Sequence, residues 1–147
     1  MTKIYIGADH AGFKLKEKLK VWLLKKKLEI EDAGALTFNP SDDYPDFAEK
    51  VARKVVREKS LGILLCGSAQ GMCIAANKVR GVRAVVPFSV KEAELARRHT
   101  MANIICLSGW YFNPLKAKKL VWTFLRTPFS KEERHLKRVE KIKQLEK

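Results

Sequence analysis

Three short runs and one terminal helix hold the side chains of this 147-residue chain that could do chemistry. The first run is Cys66-Gly67-Ser68-Ala69-Gln70-Gly71, a cysteine ending an apolar stretch and followed by a glycine-bracketed turn. The amides of residues 67–71 should point at one spot, backed by the helix that begins near Met72, and could hold an oxyanion or a phosphate. The same surroundings should lower a thiol pKa from about 8.5 toward neutrality, making Cys66 a candidate base or nucleophile. A cysteine at a strand end is also commonly a small buried hydrophobe, the reading kept for Cys73 and Cys106. The second run, Gly7-Ala8-Asp9-His10-Ala11-Gly12, offers a carboxylate and an imidazole, although Asp9 could simply cap the next helix. The third is Arg98-His99-Thr100, where His99 could equally be a surface residue. Arg134 and Arg138, with His135 beside them, are four apart and share one helix face.

Short apolar runs at 3–7, 28–32, 61–66, 82–87 and 103–108 read as strands, and 11–27, 45–59, 71–79, 89–100 and 114–126 as helices. Phe47, Val51 and Val55 show the apolar stripe of one such helix. This alternation predicts one α/β domain over 1–147, a Rossmann-like three-layer α/β/α sandwich around a five-stranded parallel sheet, with an extra C-terminal helix. That helix spans 131–147, with Ser130 as N-cap and Glu133 completing a capping box. Its narrow stripe of Leu136, Val139, Ile142 and Leu145 could pack on its own domain or on a second subunit, and the second is favoured. Ligands in such sheets bind at the carboxyl ends of strands, so the three runs are expected to converge on one edge.

A content of 46% hydrophobic and 31% charged residues excludes a disordered or fibrous chain. Three cysteines without a Cys-x-x-Cys pair, and no histidine cluster, indicate neither a disulfide framework nor a metal site. The net charge of +14 fits nucleic acid or small anions. Much of it reads as solvated helix face, as at Lys14, Lys16, Lys18, Lys20 and Lys25–Lys27, without the interleaved aromatics of a nucleic-acid surface. The amino terminus shows no leader and the chain no membrane-length apolar run, so a cytoplasmic protein without membrane attachment is expected.

A sugar-phosphate isomerase needs a base for the C2 proton, donors for a cis-enediolate, an acid–base group for ring opening and cations for the phosphate, and this chain has a candidate for each. Over nearly its whole length it resembles the ribose-5-phosphate isomerase B family, whose relatives include the subunits of galactose-6-phosphate isomerase. The resemblance rests on Gly7 to Phe13, Asp43-Tyr44-Pro45, Cys66-Gly67-Ser68 through Gly71-Met72, Ile74 to Lys78, Gly81 to Ala84, His99, and Arg134-His135 with Arg138.

The resemblance implies that Cys66 moves the proton between C2 and C1 while Ser68 and the amides of Gly67, Ser68, Ala69, Gln70 and Gly71 hold the enediolate. It implies ring opening by His99 assisted by Asp9, with Thr100 at the binding position beside it. His10, Arg134 and Arg138 would hold the phosphate. It further implies a homodimer, or a dimer of dimers, with sites shared between subunits and no metal or organic cofactor. Three positions depart from the family: Thr100 replaces an asparagine, Trp110 an arginine, and Ser68-Ala69-Gln70-Gly71 a loop in which threonine and glycine precede an aliphatic residue. Lys78, Arg80 or Arg83 could compensate for the arginine. Trp110 could stack on the sugar or, as is commoner at a strand end, fill core space. These departures keep open a hexose phosphate such as allose 6-phosphate or galactose 6-phosphate, and, from another class, a basic nucleotide-binding or nucleic-acid-binding module.

Overall fold

The structure, a computed structural model, describes residues 3–146. Its elements are β1 (Ile4–Ala8), α1 (His10–Lys25), β2 (Ile30–Asp32), α2 (Tyr44–Glu58), β3 (Leu61–Cys66), α3 (Gln70–Ala76), β4 (Ala84–Val85), α4 (Val90–Thr100), β5 (Ile104–Ser108), α5 (Pro114–Arg126) and α6 (Glu133–Gln144). The five strands form one parallel sheet in the order β2-β1-β3-β5-β4. Successive strand residues face opposite sides. Ile6, Ile63, Leu65, Ile105 and Leu107 pack with α1, α4 and α5, whereas Tyr5, Leu64, Cys66, Ile104 and Cys106 pack with α2 and α3. Apolar residues on both faces of each central strand are what a sheet covered twice requires, so the expected three-layer sandwich forms.

Several boundaries move for local reasons. α3 ends at Ala76 instead of continuing to 79, and β4 shrinks from 82–87 to two residues. Between them the Asn77 side chain accepts the Ala84 amide at 2.8 Å and donates to the Ala84 carbonyl at 3.0 Å, a clamp that takes the place of further helix. α6 is shorter than 131–147, whose last residue lies outside the described range. Lys131 has φ 60°, which a helix cannot continue through, so Glu132 takes the N-cap position and the expected Ser130–Glu133 capping box does not form. Of the α6 stripe, Val139 packs on its own domain beside His135, while Leu136, Ile142 and Leu145 stay exposed.

Lys16 is not part of a solvated face: it is completely buried. Its ammonium donates to both Asp32 oxygens at 2.9 and 2.7 Å and to the Ala35 carbonyl, and Lys20 adds a 2.6 Å contact to Asp32. Burial works to raise the Asp32 pKa, but the hydrogen bonds from Lys16 and Lys20 outweigh it and hold the carboxyl below its usual value. These bonds pin the segment after β2 along the end of β1, where Ala35 N–H donates to Ala8 O at 2.9 Å and Ala8 N–H to Gly34 O at 2.8 Å. The chain is thereby led over the carboxyl edge of the sheet toward α2.

Candidate active site

The strand order reverses at β1, which lies between β2 and β3, so the loops leaving β1 and β3 diverge and open a crevice at their carboxyl ends. Cys66 ends β3 there, 4% exposed, and the nearby amides of Met72, Ala69 and Ser68 act to favour its thiolate. The cradle therefore acts on the thiol itself. Burial is nevertheless the larger effect and, with the Asp9 carboxylate nearby, pushes the Cys66 pKa up. The expected drop toward neutrality does not occur within one chain, because the desolvation of a sulfur on the α2/α3 face outweighs three amide dipoles.

The 67–71 loop is held from both sides. Ser108, paired with Cys66 in the sheet, donates its hydroxyl to Gly67 O at 2.6 Å, and the Trp110 amide reaches the same carbonyl at 3.1 Å. The Trp110 indole lies against Gly67 so closely that a Cβ there would come within 2.5 Å of it. At the other end the Tyr44 ring covers Gly71, where a Cβ would meet it at 2.4 Å. Both bracketing glycines are thus required by aromatic rings. Trp110 is 67% exposed, so it does not fill core space; it forms a wall of the crevice. Ser68 Oγ accepts the Gln70 amide at 3.4 Å, and Ala69 turns the chain with φ 73° before α3.

Asp9 is buried and caps α1, accepting the Gly12 amide at 3.1 Å, so the capping alternative holds. Burial raises its pKa against the hydrogen bonds from Gly12 and Ala11. His10 gives both its donors to Asp42 Oδ1, the backbone amide at 2.9 Å and Nδ1 at 2.7 Å. The hydrogen bond that His10 donates to Asp42 raises the His10 pKa. Asp42 Oδ2 is buried without a partner. Asp9, His10 and Asp42 are the one group among the described residues whose donor atoms gather within 4.8 Å and could hold a metal ion, although His10 and Asp42 already satisfy one another there.

The remaining candidates stand elsewhere. β3 and β5 are parallel with Cys66 opposite Ser108 and Gly62 opposite Ile104, and His99 closes the helix that leads into the Ile104 end. His99 therefore lies at the amino edge, separated from Cys66 by the length of β5, about 16 Å at ~3.3 Å per residue. The expected convergence of the three loops on one edge fails within one chain, since a residue preceding a parallel strand is at its amino end. Thr100 turns its hydroxyl to Ala96 O at 2.6 Å. Arg134 and Arg138 are exposed on α6, which docks against α4, and Arg134 pairs with Glu132 at 3.0 Å. Arg83 is spent on the Thr100 and Met101 carbonyls at 3.1 and 3.0 Å. One chain thus separates its candidates into two groups, Cys66, Ser68, Asp9 and His10 at the carboxyl edge and His99 with two arginines on the helix packed against α4 at the other. Sequence reading missed Asp42 and the position of Tyr44 over Gly71; the only signal was an acidic run ahead of Tyr44-Pro45.

The profile of the ribose/galactose isomerase family matches residues 4–142. Ribose-5-phosphate isomerase B of Mycobacterium tuberculosis is 41% identical over 145 residues, covering 98% of this chain and 90% of that protein. Among solved structures, a ribose 5-phosphate isomerase of Thermotoga maritima superposes with TM-score 0.92 at 45% identity, covering 97% of each chain. The ribose-5-phosphate isomerase B of Mycoplasma genitalium, solved with bound ribulose-5-phosphate, does so with TM-score 0.93 at 42% identity over 98% of this chain and 95% of that one. The chain belongs to the ribose/galactose isomerase family and, within it, to the ribose-5-phosphate isomerases of type B.

Proposed function

We propose that the chain interconverts ribose 5-phosphate and ribulose 5-phosphate through a cis-enediolate, in a site that a second copy of the chain completes. The observation that carries this reading is Cys66: a buried sulfur at a strand end, followed by a loop whose glycines lie under Trp110 and Tyr44, in a fold shared with an isomerase solved with bound ribulose-5-phosphate. Cys66 takes the C2 proton and returns it to C1, and the amides of residues 67–71 with Ser68 steady the enediolate oxygens. His10, whose charged form Asp42 favours, contacts the phosphate.

The other half comes from the second copy. His99 opens the furanose ring, Asp9 of the first copy assisting, and Arg134 and Arg138 close on the phosphate. Two observations support a homodimer: the halves lie at opposite sheet edges, and Leu136, Ile142 and Leu145 leave an uncovered apolar strip on the helix that carries the arginines. A phosphorylated sugar as substrate supports a cytoplasmic enzyme. No helix among the described residues is long and apolar enough to cross a membrane.

The test is the interconversion of the two pentose phosphates by purified protein, beside Cys66→Ala and beside allose 6-phosphate and galactose 6-phosphate. Loss of pentose turnover by about 10²–10⁴ in the variant is expected for removal of the base. A preference of the intact protein for either hexose phosphate would overturn the substrate, and a fully active Cys66→Ala the mechanism.

A further inference from the structure

One buried histidine has no part in the mechanism above. His135 is 3% exposed and lies face to face with His99, ring centroids 4.1 Å apart and planes 29° from parallel. Its Nδ1 meets Ser130 Oγ at 2.6 Å, and that oxygen accepts the Glu132 amide at 3.2 Å. The hydroxyl has its own proton to give to Nδ1, an arrangement that leaves the ring proton on Nε2 of a neutral imidazole. Ser130 is itself tied to α4, its amide donating to the Arg98 carbonyl at 3.0 Å. The contacts close a circuit from Arg98 through Ser130 and His135 to His99.

We infer that His135 is a positioning residue for His99, holding its ring by stacking and tying it to the helix that carries Arg134 and Arg138. The inference rests on the reading of His99 as the group that opens the sugar ring. A group that exchanges a proton with a ring oxygen must keep a set direction, and His99 gains that direction from the stack. Because the same helix presents the arginines, grip on the phosphate and aim of the acid–base group become one event.

Burial lowers the His135 pKa, and the neighbouring His99 lowers it further. The charged groups facing it are His99 from α4, Arg134 and Arg138 from its own helix, which also lower it, and Glu132, 4.0 Å from Nδ1, which opposes them. The His135 ring is thereby biased toward its neutral form, which disfavours two imidazolium rings face to face in the stack.

The test uses the difference between the two substrates. Ribose 5-phosphate is a furanose, whereas ribulose 5-phosphate has its C5 oxygen phosphorylated, cannot close that ring, and is open-chain. Ring opening is needed only from the aldose. His135→Phe, and Ser130→Ala as the milder variant, should lower kcat from ribose 5-phosphate about tenfold more than kcat from ribulose 5-phosphate, since general acid–base catalysis contributes ~10²–10⁴ and only its aim is lost. The pH profile should move in the aldose direction alone. His99→Asn is the reference and should show the same asymmetry more strongly. Equal losses in both directions, or none, in folded His135→Phe and Ser130→Ala would overturn the inference while leaving His99 in place. A symmetric His99→Asn would instead overturn the reading of His99, and the inference with it.

Discussion

Asp42 holds His10 by two bonds to a single oxygen, 2.9 Å from its amide and 2.7 Å from its ring, so ring orientation and backbone position cannot be changed separately. The pair also sets a charge. Asp42 raises the His10 pKa, so the imidazolium persists as pH rises past the ordinary value near 6.5 and is lost only through the higher, folded one. Asp42→Asn should bring that loss to lower pH. At pH 7.5 the KM for ribose 5-phosphate should rise about tenfold, one charge-assisted hydrogen bond being worth ~1.5–3 kcal/mol, with kcat little changed. A KM–pH profile identical to that of the parent would rule the pairing out.

Cys66 should be a slow nucleophile in the free enzyme. Its pKa is raised, so the thiolate fraction, and with it the rate of iodoacetamide labelling, should go on climbing above about pH 8.5. Asp9 contributes to that rise. Asp9→Asn keeps an α1 cap, asparagine being as good a cap as aspartate, and should move the labelling profile to lower pH. A shift to higher pH would contradict the arrangement.

Gly67→Ala should lower kcat and cost about 1–3 kcal/mol of stability, the range of overpacking, because the new methyl would run into the Trp110 indole. Trp110→Ala in the same chain should restore most of that stability, an interaction that a double-mutant cycle of thermal melts measures. Strict additivity would show that the indole does not press on the loop.

Lys16→Met should destabilise by about 1–3 kcal/mol, since Asp32 keeps Lys20 but it and the Ala35 carbonyl lose a buried charged donor. The Asp32 pKa is lowered in the folded chain, so its contribution is present above the unfolded value near 3.9 and is lost as pH falls through the folded one. The difference between parent and variant in urea melts should therefore be full at pH 7 and shrink below about pH 4. A constant difference would place the effect in packing alone.

Much of this was legible beforehand because buried strands and amphipathic helices leave different apolar periods, and a glycine-bracketed turn after Cys66 has few structural uses. What was not legible depends on pairs far apart in the chain. His10 meets Asp42 32 residues away. Lys16 looks like any other lysine of a basic helix until Asp32 and Ala35 are folded against it. The ends of α3 and β4 answer to a side chain, Asn77, that bonds across the turn between them. His99 shows a different failure: a group ahead of a parallel strand and a group behind one can never share an edge of the same sheet.

That separation gives the enzyme a genetic signature. If, as proposed, two copies of the chain share each site, a chain carrying Cys66→Ala and a chain carrying His99→Asn are each crippled in both sites of their own dimers. When the two are unfolded together and reassembled, a mixed dimer gathers both lesions into one site and leaves the other wholly parental. Random pairing of equal amounts should bring back about a quarter of the parental activity from two inactive proteins. Lesions placed on the same half, as in Cys66→Ala with Asp9→Asn, should bring back nothing.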